Sequence, residues 1–234
     1  ILRTRFDRPM GLADPNTLIL DPACGTGTFL YFAIQRIHET LRDMGQLGAW
    51  SDYVEKHLLP RIFGFELLMA PYTVAHMKLS LLLQQTGYSF GGDQRLGIYL
   101  TNTLEEAVVQ TEVAPFARYI TEEADAASEI KRDKPIMVVL GNPPYSVSSA
   151  NRGEWIVDLL EEYKKGLKEK KLNIDDDYIK FIRFAQWRIS RTGSGAIGFI
   201  SNNSYLDGVT HRRMRQSLLE TFDDIYVLNL HGSA

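Results

Sequence analysis

The stretch Thr17-Leu-Ile-Leu-Asp-Pro-Ala-Cys-Gly-Thr-Gly-Thr28 decides the fold of this chain. It opens as a short apolar strand, turns tightly at two closely spaced glycines, and continues to about Asp43 with the apolar periodicity of a helix. Thr28 is a candidate N-cap for that helix. Glycines let the backbone approach a ligand, and a helix N-terminus offers free N–H groups. A strand, a glycine turn and a helix in this order predict a nucleotide-type cradle.

The spacing of the glycines separates this cradle from two common nucleotide sites. A dinucleotide-binding turn has a third glycine three residues after the second, and that position is Leu30 here. A phosphate-binding P-loop carries a lysine directly after its last glycine, and Thr28 follows Gly27 instead. A structural glycine turn that binds no ligand is the remaining alternative.

Further strands and helices alternate along the chain, which predicts a doubly wound α/β fold with a mostly parallel sheet. The second strand, Arg61–Glu66, ends in an acidic residue, and such a residue binds ribose hydroxyls in folds of this kind. A solvated surface glutamate is the alternative for Glu66. The third strand, Leu96–Thr101, is followed by Asn102, which either forms an Asx turn or uses its amide to donate and accept at once. The last two predicted strands are Gly195–Ser201 and Asp224–Leu230.

Helical periodicity marks the segments between these strands. In Pro71–Gln85 the apolar residues Val74, Met77, Leu81 and Leu82 recur at helical spacing, which predicts a stripe that packs in the core. Leu104–Lys134 is rich in charge and predicts surface helices with solvated charges. The other predicted helices are Trp50–Leu59, Glu154–Lys171, Tyr178–Ser190 and His211–Phe222.

The apolar run Pro135–Gly141 predicts a buried parallel strand, and it ends abruptly in Asn142-Pro143-Pro144-Tyr145. Two successive prolines lack N–H groups and have fixed φ angles, so the chain is stiff here. The motif therefore presents a side-chain acceptor, a rigid carbonyl and an aromatic plane at the mouth of a strand. These groups suit a planar ligand with an exocyclic amine. The small polar loop Val147–Gly153 then either closes over a substrate or is merely a flexible connection.

Composition indicates one globular domain with a full core, since 44% of the 234 residues are hydrophobic. The net charge is -3, which argues mildly against a chain that binds DNA by itself. One cysteine, Cys24, excludes an internal disulfide and suits a reducing, cytoplasmic compartment. The five histidines have no metal-ligand spacing, and no apolar run approaches the roughly 18 residues of a membrane span.

Taken together, the glycine turn Asp21–Gly27 and the motif Asn142–Tyr145 resemble those of the N6-adenine DNA methyltransferases. The cofactor turn precedes the base motif, as in the gamma arrangement of that family. Phe65–Tyr72 is similar to stretches in large single-chain restriction–modification enzymes. The resemblance implies a Rossmann-like methyltransferase fold, with residues 1–234 forming a catalytic domain that transfers methyl groups from S-adenosylmethionine to double-stranded DNA.

The resemblance also implies roles for single residues, and no metal. The cofactor-binding residues would be Asp21, Pro22, Ala23, Cys24, Gly25, Gly27, Glu66, Leu67, Asn102 and Thr103, with Asn102 pairing with the cofactor adenine. The catalytic residues would be Asn142, Pro143, Pro144 and Tyr145. In this interpretation the Asn142 oxygen and the Pro143 carbonyl accept the two N–H groups of the adenine amine. Tyr145 stacks on the base, which must be flipped out of the duplex.

Two other functions remain open from the sequence. Glutamine N5 protein methyltransferases share the Asn-Pro-Pro-Tyr motif, and a non-catalytic cofactor-binding or specificity module is a rival of another class. Family members also carry a cofactor motif upstream of the first strand, a final antiparallel strand and a target recognition domain. We expect these in the remainder of a larger polypeptide, which could also hold nuclease or helicase parts.

Overall fold

The computed structural model of the chain describes residues 1–106, 118–146, 149–169 and 174–230. These residues form a five-stranded parallel sheet with the strand order β3-β2-β1-β4-β5. The strands are β1 Ile19–Asp21, β2 Ile62–Glu66, β3 Gly97–Leu100, β4 Val138–Gly141 and β5 Ala196–Phe199. The strand order reverses between β1 and β4, and ligands of such sheets bind in the crevice at the carboxyl ends of the strands flanking that point. The predicted doubly wound, Rossmann-like α/β fold is confirmed.

Helices connect the strands and cover both faces of the sheet. They are α1 Leu2–Arg5, α2 Thr28–Asp43, α3 Trp50–Tyr53, α4 Met69–Gln85, α5 Arg118–Arg132, α6 Glu154–Lys164, α7 Asp177–Thr192, α8 Ser204–Asp207 and α9 Arg212–Thr221. The π-helical segment Val54–Leu58 continues α3, and short 3₁₀ turns occupy Gly11–Ala13, Leu47–Ala49 and Val209–His211. Helix α6 ends at Lys164, earlier than predicted. Lys170 and Lys171, at the end of the predicted helix, lie outside the described residues. No helix of the described residues is both long and apolar enough to span a membrane.

The core lies on both sides of the sheet, because successive strand residues point to opposite faces. In β1, Ile19 packs in a cluster with Leu30 of α2 and Leu79 of α4. The next residue, Leu20, packs in a second cluster with Phe184 of α7. Both strand residues are fully buried. A parallel sheet covered on both faces requires such continuous apolar strands, and this is the pattern seen in the sequence.

The predicted strand Asp224–Leu230 is wrong. The segment forms no strand, and Tyr226, Leu228 and Leu230 are among its exposed side chains. An apolar extended segment becomes a strand only where a neighbouring strand accepts its backbone hydrogen bonds. Within the described residues β5 is bonded to β4 alone, and none of the backbone hydrogen bonds found there joins this segment to β5.

The predicted core stripe of α4 is wrong for three of its four residues. Val74, Met77 and Leu81 are 39%, 59% and 47% exposed, whereas the fourth, Leu82, is buried together with Leu79. The apolar side chains of this helix are distributed around most of its circumference, so their periodicity could not identify the face that the sheet covers.

The prediction of solvated charges in Leu104–Lys134 is wrong for two side chains of α5. Glu123 and Lys131 are each only 2% exposed. The carboxylate of Glu123 accepts hydrogen bonds from the Arg95 guanidinium and from the Leu100 N–H. Buried charges are tolerated when they are paired in this way.

Candidate active site at the carboxyl edge of the sheet

The glycine turn that follows β1 is held close to β2 and α4. Gly25 and Gly27 have φ angles of 54° and 76°, which glycine adopts without strain. The Cys24 N–H donates to the carbonyl of Phe65 at 2.9 Å. A Cβ atom at Gly27 would lie 3.3 Å from the Ala75 side chain, so α4 could not pack as closely. Gly27, rather than the predicted Thr28, is the N-cap of α2.

Glu66, at the carboxyl end of β2, is tied to this turn. Its two carboxylate oxygens accept the Gly25 N–H at 2.9 Å and the Leu68 N–H at 2.8 Å. The side chain is therefore a fixed part of the turn and not a freely solvated surface residue. Leu67, next in the chain, is 58% exposed at the same edge.

Asp21 ends β1 beneath the turn and is fully buried. One of its oxygens accepts the Ala23 N–H at 3.1 Å, whereas Oδ2 is buried and has no hydrogen-bond partner among the described residues. Burial, with a smaller contribution from the nearby Glu66 carboxylate, raises the pKa of Asp21 to about 7. Burial also raises the pKa of the Cys24 thiol, which makes a thiolate nucleophile unfavourable at this position.

The ends of β1 and β4 meet at Asp21 and Gly141. A Cβ atom at Gly141 would lie 2.7 Å from Asp21 Oδ1, so only glycine allows this approach. Because Asn142 follows Gly141 directly, the turn and the Asn-Pro-Pro-Tyr motif are neighbours at the point where the strand order reverses.

The segment after β3 closes the other side of the turn. The Thr103 hydroxyl is buried and donates to the Pro22 carbonyl. Asn102 forms an Asx turn, with its side-chain oxygen accepting the Leu104 N–H at 3.0 Å. Its amide group donates to Glu105 at 3.0 Å and to the side chain of Asn151 at 3.1 Å. Asn102 therefore adopts the Asx turn, and its pairing with the cofactor adenine stays a prediction.

Lys131 supports this segment from below, and sequence reasoning missed it. Its ammonium group donates to the carbonyl of Asn102 at 2.6 Å and lies 5.6 Å from the centroid of the Phe65 ring. Burial lowers its pKa to about 8. The lysine lies within the charge-rich helix α5, and the sequence pattern of that helix does not distinguish a buried lysine from a solvated one.

The Asn142–Tyr145 motif presents its acceptor and its ring to solvent. Asn142 and Pro144 are exposed, whereas Pro143 is buried. The Tyr145 hydroxyl donates to the side-chain oxygen of Asn142 at 3.1 Å. The Tyr145 ring makes a T-shaped contact with Tyr178, with centroids 5.9 Å apart, and remains 50% exposed. The acceptor and the ring of the motif are therefore both accessible to a ligand.

All the predicted site residues lie at the carboxyl ends of β1 to β4. The structure joins the turn, Glu66 and Thr103 directly by hydrogen bonds, and brings the Asn142–Tyr145 motif next to Asp21. No group of three or more His, Cys, Asp or Glu side chains within the described ranges is arranged to bind a metal ion.

The chain is similar to DNA methyltransferases over almost its whole length. It is 25% identical over 220 residues to the Type II methyltransferase M.BstVI of Geobacillus stearothermophilus, an alignment that covers 94% of this chain and 34% of the relative. The chain therefore spans about a third of the length of that curated relative.

Several solved structures share the fold, including two Type ISP restriction–modification enzymes. One is a nuclease-deletion mutant of the Type ISP restriction–modification enzyme LlaGI in complex with a DNA substrate mimic, with a TM-score of 0.78 and 26% identity over 95% of this chain and 18% of that one. The other is the ATP-dependent Type ISP enzyme LlaBIII bound to DNA, with a TM-score of 0.74 and 29% identity over 94% of this chain and 15% of that one.

The family model that matches is described as MmeI, DNA-methyltransferase domain, and the match covers residues 15–227. These findings confirm the resemblance to the methyltransferase core of large restriction–modification enzymes. The chain belongs to the family of MmeI-type DNA-methyltransferase domains.

Proposed function

We propose that this chain is an S-adenosylmethionine-dependent catalytic domain, spanning 1–234, that methylates the N6 amine of a flipped-out adenine in double-stranded DNA. It would form the modification core of a cytoplasmic restriction–modification enzyme whose remaining parts read the target sequence. One observation carries the proposal: the glycine turn and the Asn-Pro-Pro-Tyr motif adjoin at Asp21 and Gly141. A cofactor on the turn and a base on the motif would then lie side by side.

The residues around the turn fit S-adenosylmethionine. Gly25 leaves open space where a side chain would stand, so a ligand can approach its backbone. The carboxyl groups of Asp21 and Glu66 both border the turn, which suits a ligand with positive charge. Glu66, Leu67, Asn102 and Thr103 would hold the nucleoside part, with the ribose hydroxyls at Glu66 and the adenine at Asn102. When bound, S-adenosylmethionine supplies an electrophilic methyl group on a sulfonium.

The chemistry at the target amine rests on hydrogen-bond acceptors. Adenine N6 is a poor nucleophile because its lone pair is delocalised into the ring. The Asn142 oxygen and the Pro143 carbonyl would accept its two N–H groups and favour a tetrahedral nitrogen. An amide oxygen has two lone pairs, so Asn142 can accept from the base while it keeps the Tyr145 hydroxyl. Positioning and hydrogen bonding would therefore carry the rate.

Tyr145 would receive the flipped base on its ring. Tyr178 contacts the ring from one side, and the Tyr145 residue remains 50% exposed. Stacking of a base on such a ring contributes roughly 1–3 kcal/mol.

A methyl-transfer assay separates this function from its rivals. Tritiated S-adenosylmethionine is supplied to the natural full-length protein with unmethylated bacterial DNA or with a translation release factor. We expect label in DNA and, after digestion to nucleosides, N6-methyladenine by mass spectrometry. Label in the release factor would support glutamine N5 methylation, and label in neither would support a non-catalytic module. Similarity to enzymes solved with DNA favours the first outcome.

A further inference from the structure

A buried polar cluster joins the segment after Tyr145 to the first turn of α7. Its charged members, Asp177 and Lys180, are 7% and 2% exposed, and Ser149 is 4% exposed. The Ser149 hydroxyl and the Asn151 amide both donate to Asp177 Oδ1, the latter at 3.0 Å. The Lys180 ammonium donates to Ser149 Oγ at 2.7 Å and to the Asn151 carbonyl. Ser149 and Asn151 therefore bridge the Asp177 carboxylate and the Lys180 ammonium.

Asp176, the N-cap of α7, and Tyr178 in its first turn contact the chain at the motif. Asp176 accepts the Ser146 N–H at 2.9 Å, and Tyr178 packs against the Tyr145 ring. Residues 176–180 therefore hold the chain directly at Tyr145 and Ser146, and again at Ser149 and Asn151.

The cluster also reaches the cofactor side of the crevice. The side-chain oxygen of Asn151 accepts the Asn102 amide at 3.1 Å. A chain of hydrogen bonds therefore runs from α7 through Asn151 to the segment after β3. Asn151 is therefore bonded both to α7 and to the segment after β3.

The direction of these bonds argues for a role beyond stability. Within the described residues, the side chains of Asp177 and Lys180 form hydrogen bonds with Ser149 and Asn151 alone. A buried charge pair is weak evidence for stability, because well-packed apolar residues of similar volume are often as stable. The pair instead holds Ser149 and Asn151 in place. A displacement of about 1 Å near reacting atoms can lower a rate by roughly 100-fold.

We propose that Asp177 and Lys180 are positioning residues for methyl transfer, which act through Ser149 and Asn151 to fix the segment that carries Tyr145. The proposal rests on the proposed function. Both residues act at a distance, through the loop that they hold.

A matched pair of substitutions in the natural full-length protein tests the proposal. Lys180→Met removes the cation of the cluster. Arg61→Met is the control, because Arg61 is also 2% exposed and donates to the Thr17 carbonyl and the Tyr53 hydroxyl, before β2 at the opposite end of the sheet. Ser149→Ala, which leaves both charges in place, covers the case that Lys180→Met does not fold. For each variant we would measure the melting temperature, the S-adenosylmethionine Kd, the single-turnover methylation rate and the hydrogen exchange of residues 144–153.

We expect Lys180→Met and Ser149→Ala to exchange faster over residues 144–153 and to lose about tenfold or more in single-turnover rate, with the cofactor Kd kept within about threefold. Lys180→Arg should recover part of the rate, because it restores the charge. Arg61→Met should lose melting temperature but keep its rate within about threefold below its melting point.

Other outcomes separate the two proposals. If the wild-type protein methylates DNA and all variants lose rate only in proportion to melting temperature, the positioning role is wrong and the proposed function stands. An unchanged rate in Ser149→Ala and Lys180→Met leads to the same conclusion. If the wild-type protein transfers no methyl group to DNA, the proposed function is overturned, and the positioning role with it.

Discussion

The Tyr145 hydroxyl donates a hydrogen bond of 3.1 Å to the side-chain oxygen of Asn142. The ring proposed to stack on the base and the oxygen proposed to accept its amine therefore orient each other. Pro143 and Pro144 lie between them and limit the backbone, so the pair is held by covalent and hydrogen-bonding constraints together.

Substitutions at Tyr145 test whether the ring or the hydroxyl matters. We expect Tyr145→Phe and Tyr145→Trp to retain activity within a few fold, because the aromatic face is kept. Tyr145→Ala should lose about 1–3 kcal/mol of base binding, or roughly five- to 150-fold, measured as the Kd for DNA with 2-aminopurine at the target position. If Tyr145→Phe is as impaired as Tyr145→Ala, the bond to Asn142 is the important contact and stacking is not.

Substitution of Asn142 tests the acceptor. Asn142→Ala should lower the single-turnover methylation rate about 100-fold or more, the usual effect of removing one hydrogen-bonding group aimed at developing charge. The Kd for S-adenosylmethionine should stay within a few fold, because in the proposed function Asn142 contacts the target base and not the cofactor. A variant that binds cofactor normally and methylates at the wild-type rate would remove Asn142 from the chemistry.

Glu66 tests the cofactor side. We expect Glu66→Ala to weaken S-adenosylmethionine binding by roughly 1.5–3 kcal/mol, or about ten- to a hundredfold, as measured by calorimetry. Glu66→Gln is the matched control, because its amide oxygen can still accept one of the N–H groups of Gly25 and Leu68. An intermediate Kd in Glu66→Gln would mean that part of the loss in Glu66→Ala comes from the missing hydrogen bonds to the turn. The remainder would come from a missing contact to the ribose. An unchanged Kd in Glu66→Ala would exclude the residue from the site.

Much of the fold and of the site could be predicted because its signals are local. The strand, glycine turn and helix around Gly25 follow each other within a few residues, and so do the strand and motif around Asn142. The edge at which they meet follows from the parallel topology, since the carboxyl ends of parallel strands lie together.

The missed features depend on contacts between distant residues. Lys180 bonds Ser149 across 31 positions, and Lys131 bonds Asn102 across 29. A lysine in an amphipathic helix has the same local pattern whether it meets solvent or a buried carbonyl. The exposure of Met77 and of Leu228 was unpredictable for the converse reason, because apolar periodicity identifies a face that can be buried without identifying a neighbour that covers it.

The raised pKa of Asp21 predicts a pH dependence of stability with a definite sign. The folded-state pKa is about 7, above the ordinary value near 4, because the carboxyl is buried and lies near Glu66. Between those values the folded state binds a proton that the unfolded state has released, so this group favours folding less as pH rises. The contribution is fully present below about pH 4 and is lost as pH rises through about 7, which amounts to a few kcal/mol.

Asp21→Asn isolates this term, because asparagine keeps an oxygen for the Ala23 N–H and does not titrate. Urea unfolding at pH 5, 6, 7 and 8 should show the variant gaining stability relative to the wild type as pH rises. A wild-type-minus-variant difference that does not change between pH 5 and 8 would mean that Asp21 ionises normally.

The same group should make cofactor binding depend on pH. A sulfonium near the turn favours the ionised form of Asp21, so S-adenosylmethionine should bind more tightly at pH 7.5 than at pH 5.5, by roughly tenfold or less for a charge pair in a partly screened site. S-adenosylhomocysteine carries the same amino acid without the sulfonium charge and should show a smaller change. Calorimetry with both ligands on the wild type and on Asp21→Asn tests this. In the variant, the Kd values of the two ligands should depend on pH to the same extent. If both ligands respond equally to pH in the wild type, the positive charge of the cofactor does not lie close enough to Asp21 to change its pKa, and the methyl group must be placed farther from the junction of β1 and β4 than the proposed function requires.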